Sequence, residues 1–258
     1  MILEHLLFMV RFDTISTVKL REKNQITIII GRIRMTKLIL FPYAGSLGLG
    51  YNQWIKQLKQ NFEVHRIVYT SLKEGVRDYE CASWNELMDL LYKKIAVLAE
   101  DEDYIFFGHS MGSRAAYEMY KRLWENGKPL PRRIIFSGCL ELSKLTKDPD
   151  LLNEHEFREE YIKLGGISDE VLACEELADL AFTDLRKDVK LLSQYRFTPV
   201  PMKSPVTVLN GDDDRISSKE EWDDLLDTEV EWKLYKGKHF FIYDHEQEII
   251  DDLFSYML

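Results

Sequence analysis

The chain has 258 residues, a hydrophobic fraction of 45% and a formal net charge of −10. A chain of this size and make-up buries a sizeable core, as one large domain or one domain with an insertion, and this excludes a disordered polymer. The acidic balance argues against non-specific attraction to nucleic acid or to an anionic membrane, and no run of about 18 apolar residues is present to span a bilayer.

The first ten residues are apolar, but Glu4 and His5 stand where a secretion signal carries basic residues, and Arg11-Phe12-Asp13 follows instead of a small-residue cleavage site. Residues 1–34 read as an N-terminal extension outside the core. Gln25 to Ile30 has the pattern of a short strand, and Met35-Thr36-Lys37 reads like a second start. An upstream start codon and an additional edge strand are the two readings of this stretch. The domain proper is expected over residues 35–258.

Leu38 to Phe41 is an apolar strand that runs into Pro42-Tyr43-Ala44-Gly45-Ser46. Gly45, Gly48 and Gly50 do not fit the G-x-G-x-x-G spacing of a dinucleotide loop, so no such cofactor is expected. Tyr51 to Gln60 is helical, Val64 to Tyr69 the next strand, and Ser83-Trp84-Asn85-Glu86 a capping box ahead of a helix with Leu87, Leu90, Leu91, Ile95 and Leu98 on one face. Tyr104 to Phe107 is a buried strand, a helix carrying Ala115, Ala116, Met119 and Leu123 follows, and Arg133 to Phe136 is again a strand. The alternation predicts a mostly parallel sheet with helices on both faces.

Residues from about 139 to 204 break that rhythm. Asn153–Leu164, Ser168–Leu180 and Asp184–Tyr195 read as helices with no strand between them, which suggests a helical lid inserted between sheet strands. Pro205 to Leu209 resumes the sheet and ends at Asn210-Gly211-Asp212-Asp213-Asp214. Ser218 to Glu221 caps a short helix, Val230 to Tyr235 is the last strand, and the loop Lys236-Gly237-Lys238-His239 leads to a final helix.

Between the strand at Tyr104 and the next helix lies Gly108-His109-Ser110-Met111-Gly112, a G-x-S-x-G sequence in the strand–turn–helix setting of a nucleophile elbow. The glycines remove side chains that would clash in such a turn, and the Met111 N–H at the helix start points where an oxyanion would form. A serine hydroxyl is a weak nucleophile and needs a histidine base, itself oriented by a carboxylate. Of the six histidines, His239 alone sits in a loop after the last strand; His109 is inside the elbow, and His5, His65, His155 and His245 lie elsewhere. The acid comes from Asp212, Asp213 or Asp214, whose adjacent side chains diverge. The Gly-x-x-Asp spacing selects Asp214, with Asp212 second. Cys81, Cys139 and Cys174 are odd in number and unrelated in spacing, which predicts neither disulfides nor a zinc site and points to a reducing, cytoplasmic setting.

These stretches resemble the stand-alone type II thioesterases of nonribosomal peptide and polyketide assembly, within the α/β-hydrolase superfamily. The resemblance covers about residues 37 to 258 and rests on Phe41-Pro42-Tyr43-Ala44-Gly45, the elbow, Gly211 to Asp214 and Gly237 to Phe241. Its most specific part is in the lid: Leu164-Gly165-Gly166, Glu170-Val171-Leu172, Leu185-Arg186-Lys187-Asp188 and Tyr195. It implies an α/β-hydrolase fold, Ser110, Asp214 and His239 as a catalytic triad, and the backbone N–H groups of Ala44 and Met111 as oxyanion hole. It implies no cofactor and no metal, because the phosphopantetheine belongs to the substrate. The implied partners are acyl- or peptidyl-carrier domains of a synthase, approached by a monomer, with no nucleic acid or membrane. The implied activity is hydrolysis of acyl or aminoacyl thioesters from that arm, an editing role. The alternatives are a medium-chain fatty acyl thioesterase acting with a fatty acid synthase, and a non-catalytic carrier-binding protein. The chain departs from the pattern at Ser46, where a second glycine is usual, and at Tyr69 to Lys73, where Pro-Gly-Arg is usual; both bear on pocket shape.

Overall fold

The computed structural model describes residues 9–12, 15–22, 25–32, 35–46, 49–69, 71–73, 76–78, 81–100 and 103–257. The chain divides into two compact units, Met1–Thr36 and Lys37–Leu258. In the first, β1 (Met9–Phe12), β2 (Ile15–Glu22) and β3 (Gln25–Arg32) form an antiparallel sheet in that order. The strand expected from Gln25 is β3, and its hydrogen-bonded neighbour is β2.

The second unit begins with β4 (Lys37–Phe41), α1 (Asn52–Leu58) and β5 (Glu63–Arg66). A hairpin that the sequence pattern did not reveal follows, β6 (Ser71–Lys73) and β7 (Val76–Asp78). Then come α2 (Trp84–Leu98), β8 (Tyr104–His109), α3 (Met111–Glu125) and β9 (Arg133–Ser137). The capping box at Ser83 forms in part: the Glu86 N–H donates to the Ser83 hydroxyl, while the Glu86 carboxylate accepts from the Ala82 N–H.

The lid holds a short 3-10 turn at Pro149–Leu151, then α4 (Glu154–Leu164), α5 (Asp169–Leu172) and α6 (Glu175–Leu192). A helix break was expected between Leu180 and Asp184, but α6 runs through it. Ala181-Phe182-Thr183 holds no glycine or proline to stop a helix, and Phe182 is buried on the lid's core side. The interruption falls earlier, at Cys174, whose backbone is extended. After the lid come β10 (Val206–Gly211), α7 (Lys219–Leu226), β11 (Glu231–Tyr235), α8 (Phe241–Asp244) and α9 (Glu246–Ser255). Both halves of the capping box expected at Ser218 are present.

The six-stranded sheet has the order β11-β10-β9-β8-β4-β5, and every pairing in it is parallel. Successive side chains of a strand point to opposite faces, so a strand covered on both faces is apolar throughout. In β8, Tyr104 and Phe106 join one core with α2, α3 and Trp222 of α7, whereas Ile105 and Phe107 join the other with α1 and α9. A smaller apolar cluster fills the lid: Phe157, Ala178, Phe182, Leu185 and Val189, with Ala44 packed against it. Among the described residues no helix is long and apolar enough to cross a membrane.

This topology fixes where a site can form. β4 and β8 are neighbours, but the chain leaves β4 toward β5 on one side and leaves β8 toward β9 on the other. Such a switch point opens a crevice at the carboxyl ends of the two strands. The loop at Pro42 and the turn at Ser110 stand at those ends.

Candidate active site

The turn after β8 is sharp. Ser110 has φ 55° and ψ −114°, a region that costs a residue with a Cβ about 1–3 kcal/mol. The two motif glycines make it sterically possible. A Cβ on Gly108 would lie 2.2 Å from the Gly112 carbonyl oxygen, and one on Gly112 would lie 2.0 Å from the Phe41 carbonyl oxygen. Hydrogen bonds pin the turn from below. The Ser110 N–H donates to the Ser137 carbonyl at 2.8 Å, and the Ser113 hydroxyl lies 2.8 Å from the Gly108 carbonyl and 3.1 Å from that of Ser137. Met111 opens α3, so its N–H is one of the first-turn donors that no helix carbonyl can take.

The loops after β10 and β11 bring the other candidates together. His239 Nδ1 lies 2.8 Å from Asp214 Oδ2, and the Asp214 side chain is 4% exposed. The second Asp214 oxygen accepts the Arg215 N–H. Asp212 does something else: its carboxylate accepts the Gly237 N–H at 2.9 Å, tying the acid loop to the histidine loop. Asp213 is exposed and joins the two loops through its backbone N–H, which donates to the Gly237 carbonyl. Of the three adjacent aspartates, Asp214 alone makes a side-chain hydrogen bond to His239 among the described residues.

Ser110 and His239 line one cavity of about 50 Å3 beneath the lid, shared with Ala44, Tyr161, Ile167, Leu185 and Phe240. They also line a second of about 220 Å3, with Ala44, Asp214, Leu145, Val189 and Leu192. His239 and Asp214 border an outer cleft of about 710 Å3 that includes Lys147, Lys163, Arg215 and Lys238. The five residues singled out from the sequence therefore meet in one region, four of them on a cavity wall and Met111 buried beside Ser110.

His109 lies apart from this surface. It is fully buried, its Nδ1 is 2.9 Å from the Ser137 hydroxyl, and its ring centre lies 5.2 Å from that of His239 with the two planes inclined at 50°. Burial, and then the nearby His239, hold its pKa well below the usual imidazole range. A neutral His109 places no competing cation behind His239.

The Pro42–Ser46 loop is held by residues the sequence pattern did not rank. The Ser46 N–H reaches back to the Tyr43 carbonyl at 3.3 Å, closing a β-turn with Ala44 and Gly45 at its corners. Gly45 has φ 75°, the positive value of a type II turn. Tyr69 donates its hydroxyl to the Pro42 carbonyl at 2.8 Å, Tyr51 to that of Phe41 at 2.9 Å, and the Tyr43 and Tyr243 hydroxyls meet. Tyr69 belongs to the stretch that departs from the family pattern. Asp188 of α6 accepts the Gly45 N–H at 2.8 Å and is 4% exposed. The available signal was its spacing: Leu185, Asp188, Val189 and Leu192 share a helical face, and a carboxylate on an apolar stripe asks for a partner.

A family model described as thioesterase domain matches residues 36–256. Gramicidin S biosynthesis protein GrsT of Aneurinibacillus migulanus is 24% identical over 221 residues, which is 83% of this chain and 86% of the relative. The medium-chain S-acyl fatty acid synthase thioesterase of Rattus norvegicus is also 24% identical, over 82% of this chain and 83% of its own length. Among solved structures, YbtT, the type II thioesterase of the yersiniabactin NRPS/PKS pathway, superposes with a TM-score of 0.73 at 22% identity, covering 88% of this chain and 95% of that one. At that identity the likeness establishes the fold, an α/β-hydrolase arrangement.

Proposed function

The chain belongs to the thioesterase domain family, and we propose that it hydrolyses acyl or aminoacyl thioesters carried on the phosphopantetheine arm of carrier domains, editing a nonribosomal peptide or polyketide assembly line. The observation that carries the chemistry is the 2.8 Å contact between His239 Nδ1 and Asp214, on the wall of a cavity that Ser110 also lines. With Nδ1 committed to the carboxylate, Nε2 is the nitrogen left to take the Ser110 proton. The Ser110 oxygen then attacks the thioester carbonyl, and the N–H groups of Ala44 and Met111 receive the developing oxyanion. The C–S bond breaks, and the leaving thiolate takes the proton from His239. Water, deprotonated by the same imidazole, cleaves the acyl-enzyme and regenerates the hydroxyl.

The family relationship supports thioester hydrolysis; the carrier-bound substrate is suggested by relatives such as GrsT and YbtT. The cavity of about 50 Å3 beside Ser110 favours a short acyl group. The second reading, medium-chain fatty acyl release, is favoured by the cavity of about 220 Å3 with Leu145, Val189 and Leu192 on its walls, and by the rat relative.

The test is kcat/KM for acetyl and aminoacyl groups on a carrier domain against the matching coenzyme A thioesters, with Ser110→Ala as the control. A preference for the carrier and an inert Ser110→Ala protein are expected. Equal values would remove the carrier from the reading. Preference for octanoyl or decanoyl thioesters would favour fatty acyl release. Full activity in Ser110→Ala would sink the serine mechanism, and an inactive wild-type enzyme that still binds the carrier would leave the non-catalytic reading.

A further inference from the structure

The oxyanion loop lies under a lid helix that grips it at one atom. Asp188, buried on α6, accepts the Gly45 N–H at 2.8 Å, and Leu185, one turn earlier, packs its side chain against Gly45. A Cβ on Gly45 would sit 3.2 Å from that leucine, so the backbone approaches the lid closely here. At the loop's other end the Pro42 carbonyl accepts the Tyr69 hydroxyl. Tyr69 is close enough to the Asp188 carboxylate for that charge to add to burial in holding its phenol well above the ordinary range. The loop segment containing Ala44 is thus clamped on both sides by buried side chains.

The β-turn geometry gives the clamp a purpose. The peptide joining Ala44 to Gly45 is the central peptide of the turn. Type I and type II turns differ by a flip of that peptide, and the positive φ at Gly45 marks the type II form. Glycine removes the steric barrier to φ > 0 without excluding the other form. The carboxylate does choose. In the type II form it receives an N–H; a flip would turn the Ala44 carbonyl oxygen toward it, opposing two partial negative charges in a buried setting.

We propose that Asp188 is a positioning residue: by holding the Ala44–Gly45 peptide it anchors the whole turn, and so keeps in place the preceding Tyr43–Ala44 peptide, whose carbonyl closes the turn with the Ser46 N–H and whose N–H is the Ala44 donor, so that the oxyanion hole is formed only while α6 is seated. The inference rests on the assignment of Ala44 to the oxyanion hole made above. Asp188 touches no reacting atom; it acts through Gly45. An ordered lid therefore does two things at once: it covers the acyl cavity through Leu185 and Tyr161, and it completes the electrostatics that stabilise the tetrahedral intermediate.

The experiment compares Asp188→Ala with Asp188→Asn in the full chain, using the acetyl thioester of N-acetylcysteamine and inhibition by an alkyl boronic acid, whose Ser110 adduct mimics the tetrahedral intermediate. Loss of one oxyanion donor costs about 100- to 1000-fold in kcat, so a loosened donor should cost roughly tenfold or more. Asp188→Ala is expected to lose at least about tenfold in kcat, to keep KM within about twofold, and to bind the boronate more weakly by a similar factor. Asp188→Asn keeps an oxygen acceptor for the Gly45 N–H and is expected to recover most of the rate. Unchanged kcat in Asp188→Ala, a loss confined to KM, or an asparagine variant as poor as the alanine one would each overturn the proposal. Should Asp188→Ala not fold, the asparagine variant and hydrogen exchange at the wild-type Gly45 amide decide: an inert asparagine enzyme or an unprotected Gly45 N–H overturns it. Ser110→Ala run alongside separates the two levels. Hydrolysis near the wild-type rate in that variant defeats the serine mechanism, whereas a Ser110→Ala protein that has lost nearly all activity, with normal Asp188 variants, defeats this inference alone.

Discussion

Replacing Ser110 by glycine should abolish hydrolysis and make the protein more stable, while replacement by alanine should abolish hydrolysis and leave stability where it was. The difference isolates the backbone. Serine and alanine both carry a Cβ into φ 55°, ψ −114°, a conformation costing about 1–3 kcal/mol that glycine largely escapes. Glycine loses more chain entropy on folding, about 0.5–1 kcal/mol. The net gain of Ser110→Gly over Ser110→Ala is then about 0.5–2 kcal/mol. No helix cap is lost in either variant, because the Ser110 side chain makes no capping hydrogen bond to α3. Urea unfolding followed by tryptophan fluorescence is the suitable assay, since Trp54, Trp84, Trp124, Trp222 and Trp232 all lie in the Lys37–Leu258 unit. For a unit of this size, the gain corresponds to about 1–8 °C in Tm. A glycine variant no more stable than the alanine variant would show that the turn stores no strain, and the account of why glycines flank the serine would have to rest on contacts alone.

Asp214→Asn should lower kcat by about 100- to 10,000-fold, because an amide cannot hold the His239 tautomer, while Asp213→Asn should leave kinetics nearly unchanged. Asp212→Asn should show its effect in thermal unfolding, through the loop contact to Gly237. A chain starting at Met35 should keep its Tm and activity, since the six-stranded sheet begins at Lys37; a fall of many degrees would give residues 1–34 a part in that unit's stability. The depressed pKa of His109 ties stability to acid pH in one direction. Below its ordinary value of 6.5 the unfolded chain binds a proton that the folded chain does not, so stability is present above pH 6.5 and declines as pH falls, by at most about 1.4 kcal/mol per pH unit. A His109→Gln protein should lack that part of the slope when urea midpoints are compared at pH 7.5 and 5.5, and identical slopes would contradict a neutral buried His109.

The strands of the central sheet were legible because β4, β8, β9 and β10 are covered on both faces and so read as apolar runs. The elbow was legible because its glycines are demanded by backbone contacts under 3 Å, which no other residue type can satisfy. Choosing Asp214 from three neighbours followed from spacing, but Asp212's role did not, because accepting the Gly237 N–H depends on how two loops meet across the sheet edge. The β6–β7 hairpin was missed for a physical reason: it is only three residues on each strand, too short for alternation to stand out. Tyr69, Tyr51 and Tyr243 escaped for another. Their hydroxyls act on partners 10 to 200 residues away, and a tyrosine in an apolar pattern gives no sign of which oxygen its tip will find.

The misplaced helix break is the most instructive difference. A break between Leu180 and Asp184 would leave Phe182 in the connection and put Asp188 on a separate helix, free to settle on its own. In the continuous α6, Phe182 and Leu185 belong to the lid cluster, and Leu191 and Leu192 belong to the core that β8 and α3 share. Asp188 lies between these two anchors, at a fixed helical phase relative to both. A rigid element buried at one end in the domain core and at the other in the lid cannot reposition its middle without disturbing one of them. The carboxylate reaches Gly45 because helix geometry, and not loop closure, sets its height above the Pro42–Ser46 loop. Any motion that lifts the lid by pivoting α6 about Leu191 and Leu192 must therefore also move Asp188 away from Gly45, which makes opening of the cavity beside Ser110 and release of the Tyr43–Ser46 turn parts of one displacement.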